Sequence, residues 1–68
     1  MIVQLTPVLI QLVNTGKCKA VDIISFLLDN GFTCDKESNK ASLQELMFKN
    51  QSITQVTIDS KGNAHIKF

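Results

Sequence analysis

The sequence predicts an α+β fold in which three short helices pack on a C-terminal β-hairpin. Two segments with helical spacing of apolar residues fill the first half of the chain, and two alternating segments separated by turn residues end the second half. A two-stranded hairpin is barely stable alone, so its apolar face is expected to lie on the helices. The 68 residues are expected to form a single small domain, residues 1–68.

The first helix is predicted between a Thr-Pro start and a glycine stop. Thr6 can cap the helix, Pro7 suits the first helical position, and Gly16 can end it by taking positive φ. The helix carries no charge and is apolar nearly all round. Such a helix either lies centrally in the core or is partly covered by a second chain. Residues 1–5, ahead of it, could add a short third strand to the hairpin edge.

The second helix is predicted from apolar residues at three- and four-residue spacing, namely Ala20, Ile23, Ile24, Leu27 and Leu28. Asn30 and Gly31 form a good C-terminal signal, and Phe32 is placed to fold back onto the helix. Two carboxylates on its polar face, Asp22 and Asp29, would repel phosphate. This helix is therefore a poor candidate for reading DNA, and a solvated surface accounts for its carboxylates.

The third helix is predicted from a capping box. Ser42 lies three residues ahead of Glu45, the spacing at which each side chain bonds the other's backbone N–H. Leu43 and Leu46 then lie on the same side of a helix over residues 43–50. The sequence therefore predicts a helix of about two turns directly before the hairpin.

The hairpin itself is predicted from two alternating segments, residues 54–58 and 64–68. Residues 59–63 between them are turn formers, with Gly62 free to take positive φ. The predicted apolar face consists of Val56, Ile58, Ala64, Ile66 and Phe68.

The charge balance favours no strongly charged partner. Seven lysines and six acidic residues leave a net charge of +1, and arginine is absent. A missing arginine removes the side chain best suited to bidentate contacts with phosphate or guanine, although an A/T-rich coding sequence, as in many phages and viruses, has the same effect. Four phenylalanines are the only aromatic residues, too few for both a core and a base-stacking platform.

The cysteines and the N-terminal segment favour a cytoplasmic protein. Cys18 and Cys34 flank the second helix, whose length keeps them apart unless the chain after Gly31 doubles back. Free thiols in a reducing compartment are therefore expected rather than a disulfide. No charge precedes Lys17, no apolar run is long enough for a bilayer, and a lysine before Cys18 does not suit lipoprotein cleavage. The chain is expected to be complete from Met1 and to have no membrane partner.

No catalytic or metal-binding motif is present in the sequence. The single histidine, His65, falls on the polar face of the last strand without a nucleophile elbow or a phosphate-binding loop. A zinc site built from Cys18, Cys34 and His65 would lack a fourth ligand. We therefore expect no enzymatic activity, no catalytic residue, no cofactor and no metal.

The order of helix, helix, short capped helix and hairpin resembles the winged-helix family, and with a leading strand it looks like the small Cro-type repressors. In such folds the third helix enters the major groove and the hairpin contacts the DNA backbone or minor groove. The resemblance implies contacts to double-stranded DNA from Lys40, Gln44, Lys49 and Lys61. It implies a regulatory protein that binds DNA or a component of the transcription machinery. A solvated polar surface is the alternative interpretation of these lysines.

A protein-interaction module is the competing functional hypothesis. Besides the uncharged first helix, it depends on apolar residues in excess of what the core needs, namely Ile2, Val3, Leu5, Phe32, Phe48 and Ile53. Such a module would be an adapter, an oligomer-forming subunit or an inhibitor encoded by a phage or virus. Its partner would be a host protein or a second copy of the chain, with a homodimer or larger homo-oligomer expected.

Overall fold

Three helices and two small sheets make up the chain in the computed structural model, which describes residues 1–35 and 37–68. In chain order the elements are β1 (Val3–Gln4), α1 (Pro7–Asn14), α2 (Ala20–Asp29), α3 (Lys40–Leu43), β2 (Leu46–Phe48), β3 (Gln51–Ser52), β4 (Gln55–Ile58) and β5 (Ala64–Lys67). One sheet has the strand order β1-β2-β3, and β4 and β5 form the other. The predicted mixed α+β class is confirmed.

The first helix begins and ends where the sequence predicts. The Thr6 hydroxyl accepts the Leu9 backbone N–H at 3.2 Å, and Pro7 is the first helical residue. Gly16 takes a φ of +70°. Its N–H donates to the carbonyl of Val13, which closes the C-terminal end of α1.

The second helix ends in the same way. Gly31 has a φ of +84° and donates its N–H to Leu28 at 3.1 Å. The next residue, Phe32, donates its N–H to Leu27 at 2.9 Å and buries its ring in the core. This pair of bonds is a Schellman motif, and Phe32 folds back onto the helix as predicted.

The helix predicted over residues 43–50 is wrong. The hydroxyl of Ser42 does not cap a following turn but donates to the carbonyl of Asn39 at 2.9 Å. Asn39 caps an earlier one-turn helix, since its side chain accepts the Ala41 N–H at 2.8 Å. The chain then enters a hairpin in which Phe48 pairs with Gln51.

A tertiary contact explains why residues 46–48 form a strand. The β1 strand pairs with β2 in parallel, and its backbone donates from Val3 to the carbonyl of Glu45 at 2.7 Å and from Leu5 to that of Met47 at 2.9 Å. A two-turn helix is marginal in water, so these backbone bonds to the β1 segment decide the conformation.

The expected N-terminal third strand exists, but its predicted position is wrong. It adds to β2 and not to the C-terminal hairpin. The hairpin is flanked instead by single bridges from Lys19 to Asn63 and from Glu37 to Thr57. Lys19 also donates from Nζ to the side-chain oxygen of Asn63 at 3.0 Å. The segment between α1 and α2 thus covers one edge of the hairpin.

A substitution in the turn between β2 and β3 distinguishes this hairpin from the helix predicted over residues 43–50. Lys49 has a φ of +55°, the one positive value at a non-glycine residue in the described ranges 1–35 and 37–68. Because this region is strained for a side chain with a Cβ, Lys49→Gly should raise the free energy of unfolding by about 0.5–1 kcal/mol. In a helix the same change would lower it by about 1 kcal/mol. Urea denaturation measures the difference, with Lys49→Ala as a near-neutral control, since alanine keeps the Cβ.

The C-terminal hairpin is confirmed, with Val56 paired to Ile66 and Ile58 paired to Ala64. Gly62 in its turn has a φ of +80°. Val56 is buried, and Ala64 and Ile66 are half-buried against the same core. Of the predicted apolar face, only Phe68 is exposed, and its ring packs edge-on against Phe48 with a centroid separation of 5.4 Å.

Residues from both sheets and from all three helices form one connected core. Its buried members are Leu5, Leu9, Cys18, Ile23, Leu27, Phe32, Leu43, Leu46, Ile53 and Val56. The Cα radius of gyration is 10.6 Å. A compact chain of this length is expected near 11 Å, so the elements close around this core without a second chain.

Candidate functional site

The exposed surface of the chain carries more large apolar side chains than closing the core requires. The accessible surface is 4532 Å², close to the roughly 4,200 Å² expected of a monomeric protein of this size. The large apolar side chains left in solvent are Met1, Ile2, Val8, Val21, Leu28 and Phe68. Single exposed apolar side chains are ordinary, whereas a group of them on one face of a closed fold is typical of an interaction surface.

This set differs from the apolar excess that the sequence predicts. Leu5, Phe32 and Ile53 are buried in the core. Val3 and Phe48 are half-buried against it, and Ile2 alone is exposed. The exposed apolar surface therefore lies mainly on the helices and at the two chain ends.

The outward side of α2 combines apolar and acidic side chains. Val21 and Leu28 are 71% and 57% exposed and lie seven residues apart, which places them one above the other on the helix. Ser25 lies between them, and Asp22 and Asp29, also seven apart and exposed, run alongside. We call these five residues the α2 outer face. On the opposite side of α2, Ile23 and Leu27 are buried in the core.

A shallow groove runs along α1 and is uncharged except at one end. It is lined by Val8, Gln11, Leu12, Thr15 and Lys17. Leu12 is half-buried, so Val8 is the main apolar side chain that this groove offers to a partner.

The tip of the β2–β3 hairpin carries an aromatic pair and a lysine. Phe48 and Phe68 meet edge to face, and Lys49 Nζ lies 6.0 Å from the centroid of the Phe48 ring. Asn50 and Gln51 complete an open groove there. At this distance the cation–π attraction is weak in water, so Lys49 keeps its charge available for a ligand.

The four lysine and glutamine positions implicated in DNA contact do not form a single cluster. Lys40 is the first residue of α3 and Gln44 is its C-cap, so both lie on one short turn. Lys49 lies near Phe48, whose ring packs on Phe68 at the open end of the C-terminal hairpin, whereas Lys61 is in the turn at its closed end. Five residue steps from Phe68 to the turn correspond to roughly 17 Å of strand. Lys36, another lysine in the C-terminal half of the sequence, lies outside the described residues.

A hydrogen-bonded carboxylate organises the β4–β5 turn. One oxygen of Asp59 accepts the backbone N–H groups of Lys61 at 2.9 Å and of Asn63 at 3.0 Å. The other lies 2.9 Å from Nε2 of His65. The hydrogen bond from His65, followed by those from the two backbone groups, lowers the pKa of Asp59 to about 2. These bonds give Asp59 and His65 a structural role in the turn.

The depressed pKa of Asp59 predicts the pH range in which the turn weakens. Since the pKa is lower in the folded chain than in the unfolded chain, the contribution of Asp59 is complete above about pH 4 and is lost as the pH falls toward 2. His65→Ala should move the Asp59 pKa back toward about 4, which NMR titration of the carboxyl carbon measures. Lys67→Ala, which removes a charge from the same strand but no bond to Asp59, should leave it low. An unchanged pKa in His65→Ala would contradict this account.

The two cysteines are unpaired and poorly suited to thiolate chemistry. Burial, with a smaller effect of Asp22, raises the pKa of the Cys18 thiol. Burial and Asp35 raise the pKa of the Cys34 thiol. Both thiols stay protonated near neutral pH, which leaves them unreactive. Within residues 1–35 and 37–68, no three His, Cys, Asp or Glu side chains are grouped so that they could hold a metal ion.

No protein-family model, curated protein or solved structure matches this chain. In the part of the chain that the structure describes, every helix is too short or too polar to cross a membrane.

The α2 outer face is the feature that sequence reasoning missed. The sequence pattern groups Leu28 with Leu27 among the apolar residues that predict the second helix, and it does not single out Val21. At 100° per residue, Leu28 lies about 100° from Leu27 and close to Val21. The spacing of seven between Val21 and Leu28 was thus present in the sequence as a signal for a second apolar stripe.

Proposed function

We propose that this chain is a non-enzymatic protein-interaction module that binds another protein through apolar side chains exposed on its helices. One observation carries the proposal: the core is closed, yet Val8, Val21 and Leu28 are left facing solvent on α1 and α2. Burying such side chains against a partner is favourable at about 25 cal/mol per Å² of apolar area. The unpaired cysteines fit a module that works in a reducing cytoplasm.

The charges near these side chains favour a protein partner over a membrane surface. An interfacial helix that binds anionic lipid needs lysine or arginine on its polar side. The polar side of α2 carries Asp22 and Asp29 instead, and α1 has no charged residue.

Site-specific photo-cross-linking in the native cell tests this function. A photoreactive residue at Val8, Val21 or Leu28 should yield a discrete cross-linked product, because these positions would be covered by the partner. The same residue at Ser60, exposed in the β4–β5 turn, is the matched control. The captured protein, once purified, should bind the wild-type chain and lose affinity when the cross-linking position is changed to serine. Cross-linking equal to that at Ser60 would contradict the proposal.

Binding to double-stranded DNA or to a transcription component, with a winged-helix-like arrangement, is the second candidate. The observation in its favour is that Lys49 and Lys61 are exposed at the tips of two separate hairpins. The β2–β3 hairpin is formed by residues for which the sequence predicts a DNA-reading helix. We therefore rank DNA binding below binding to a protein.

Fluorescence anisotropy with mixed-sequence duplexes separates the two candidates. If DNA is the partner, affinity should fall steeply with salt, and Lys61→Ala should weaken binding to all sequences to a similar extent. The protein-partner proposal predicts no binding above the non-specific level and a flat salt response. Light scattering of the same sample tests for a homodimer, which would identify a second copy as the partner.

A further inference from the structure

We infer that the α2 outer face is the docking site for a basic amphipathic helix of the partner protein. This inference rests on the proposed function and adds the location of the surface and the chemistry of its occupant. It is based on two apolar side chains, Val21 and Leu28, and two acidic side chains, Asp22 and Asp29. Each pair is separated by seven residues on the exposed side of α2.

The spacing of the apolar side chains fits a helix laid along α2. Val21 and Leu28 are separated by seven residues, or about 10.5 Å along the helix axis. Seven residues are two turns, so a partner helix can present apolar side chains at matching intervals. Ser25, small and exposed between them, leaves room for a side chain from the partner.

The acidic side chains specify the charge of the partner. Asp22 and Asp29 repeat the spacing of Val21 and Leu28 on the adjoining side of α2. Asp29 lies in the last turn of the helix, where the backbone carbonyls already place negative charge, and α2 has no basic residue in that turn. A lysine or arginine from a partner would be attracted both by the carboxylate and by the helix end.

The same charges argue against a second copy of this chain as the occupant. Two α2 outer faces packed together would bring four carboxylates into proximity. The α1 helix has no basic residue to offer, and α3 is a single turn with one lysine, Lys40. Neither supplies cations at the spacing of Asp22 and Asp29.

Selection from a displayed library of random peptides of about 14 residues, two heptads of helix, tests the inference. Wild-type chain is the bait, and the eluted pool is counter-selected on a chain carrying both Val21→Ser and Leu28→Ser. We expect enriched peptides to be amphipathic helices with lysine or arginine beside their apolar stripe. Each single serine change should weaken their binding about tenfold, the loss expected for one apolar contact at the centre of a small interface.

Matched variants distinguish an effect on the α2 outer face from an effect on folding. Ile2→Ser removes a comparably exposed apolar side chain from the N-terminal segment, outside the helices, and should leave peptide binding unchanged. Asp29→Asn should weaken binding and flatten its salt dependence, whereas Asp29→Glu should retain both. Thermal denaturation of each variant checks that the fold is intact.

The remaining outcomes overturn the inference in distinguishable ways. If the enriched peptides bind the double serine variant as well as wild type, the α2 outer face is wrong, while a protein partner at another surface stands. If peptides that depend on Val21 and Leu28 are acidic or uncharged, the predicted chemistry of the partner is wrong. If no peptide is enriched over a bait-free control, the inference fails, while the cross-linking at Val8, Val21 and Leu28 decides the proposed function separately.

Discussion

Leu27→Ala is expected to lower the free energy of unfolding by about 2–5 kcal/mol, whereas Leu28→Ala should change it by less than about 0.5 kcal/mol. The two leucines are neighbours in α2 and lose the same atoms. Leu27 is 0% exposed and lies in the core, so its truncation leaves a cavity. Leu28 points into solvent and leaves none.

Urea denaturation followed by circular dichroism measures both values, with helix propensity matched because both changes are Leu to Ala. A domain of this size has a total stability of roughly 3–10 kcal/mol, so Leu27→Ala should remove a large part of it. Equal losses for the two variants would mean that Leu28 is also buried and that the α2 outer face does not exist.

Ile53→Ala is also expected to have a large effect and to lower the free energy of unfolding by about 2–5 kcal/mol. Ile53 is fully buried at the junction between β3 and β4, and its N–H donates to the carbonyl of Leu46 at 2.8 Å. This side chain belongs to the core that also contains buried residues of the three helices, β2 and β4. The sequence predicts Ile53 to be in excess of what the core needs, whereas the structure makes it one of the residues expected to stabilise the fold.

Ile2→Ala is the matched control, since Ile2 belongs to the same predicted excess and is exposed. It should change the free energy of unfolding by less than about 0.5 kcal/mol. Thermal denaturation of the two variants side by side gives the comparison. A small effect at Ile53 would indicate that β3 and β4 do not pack on the helices as described.

Cap and turn residues in the sequence predict those elements whose stabilising contacts lie within a few positions along the chain. Thr6 and Gly16 bracket α1, Gly31 ends α2, and the alternation around Gly62 forms the C-terminal hairpin. In each case a cap or turn residue satisfies backbone groups within a few positions along the chain. The mixed α+β class follows from these elements.

The region after α3 could not be predicted from local signals because a distant strand decides it. The spacing of Leu43 and Leu46 suits a helix, but β1 offers backbone bonds to residues 45–47 from more than forty positions away. Leu46 is buried in either conformation, so hydrophobic burial did not distinguish them. The consequence for function is direct, since the expected DNA-reading helix is replaced by a hairpin.

The candidate site was partly visible in the sequence. Asp22 and Asp29 were recognised as an acidic side of the second helix that disfavours phosphate. The apolar residues beside those carboxylates, Val21 and Leu28, do not stand out, because the spacing of the core residues alone predicts a single apolar stripe. Lys40, Gln44, Lys49 and Lys61 stay predictions for a DNA surface, at positions that the structure spreads over α3 and two hairpin tips.

Methyl NMR of leucine- and valine-labelled protein tests the central claim most directly. In the free chain a soluble nitroxide should broaden the methyl signals of Val21 and Leu28 strongly and leave those of Leu27 sharp. Once the partner captured by cross-linking is added, the methyl signals of Val21 and Leu28 should shift and become protected from the nitroxide. Continued broadening of Val21 and Leu28 in the complex would contradict the claim that α2 docks the partner.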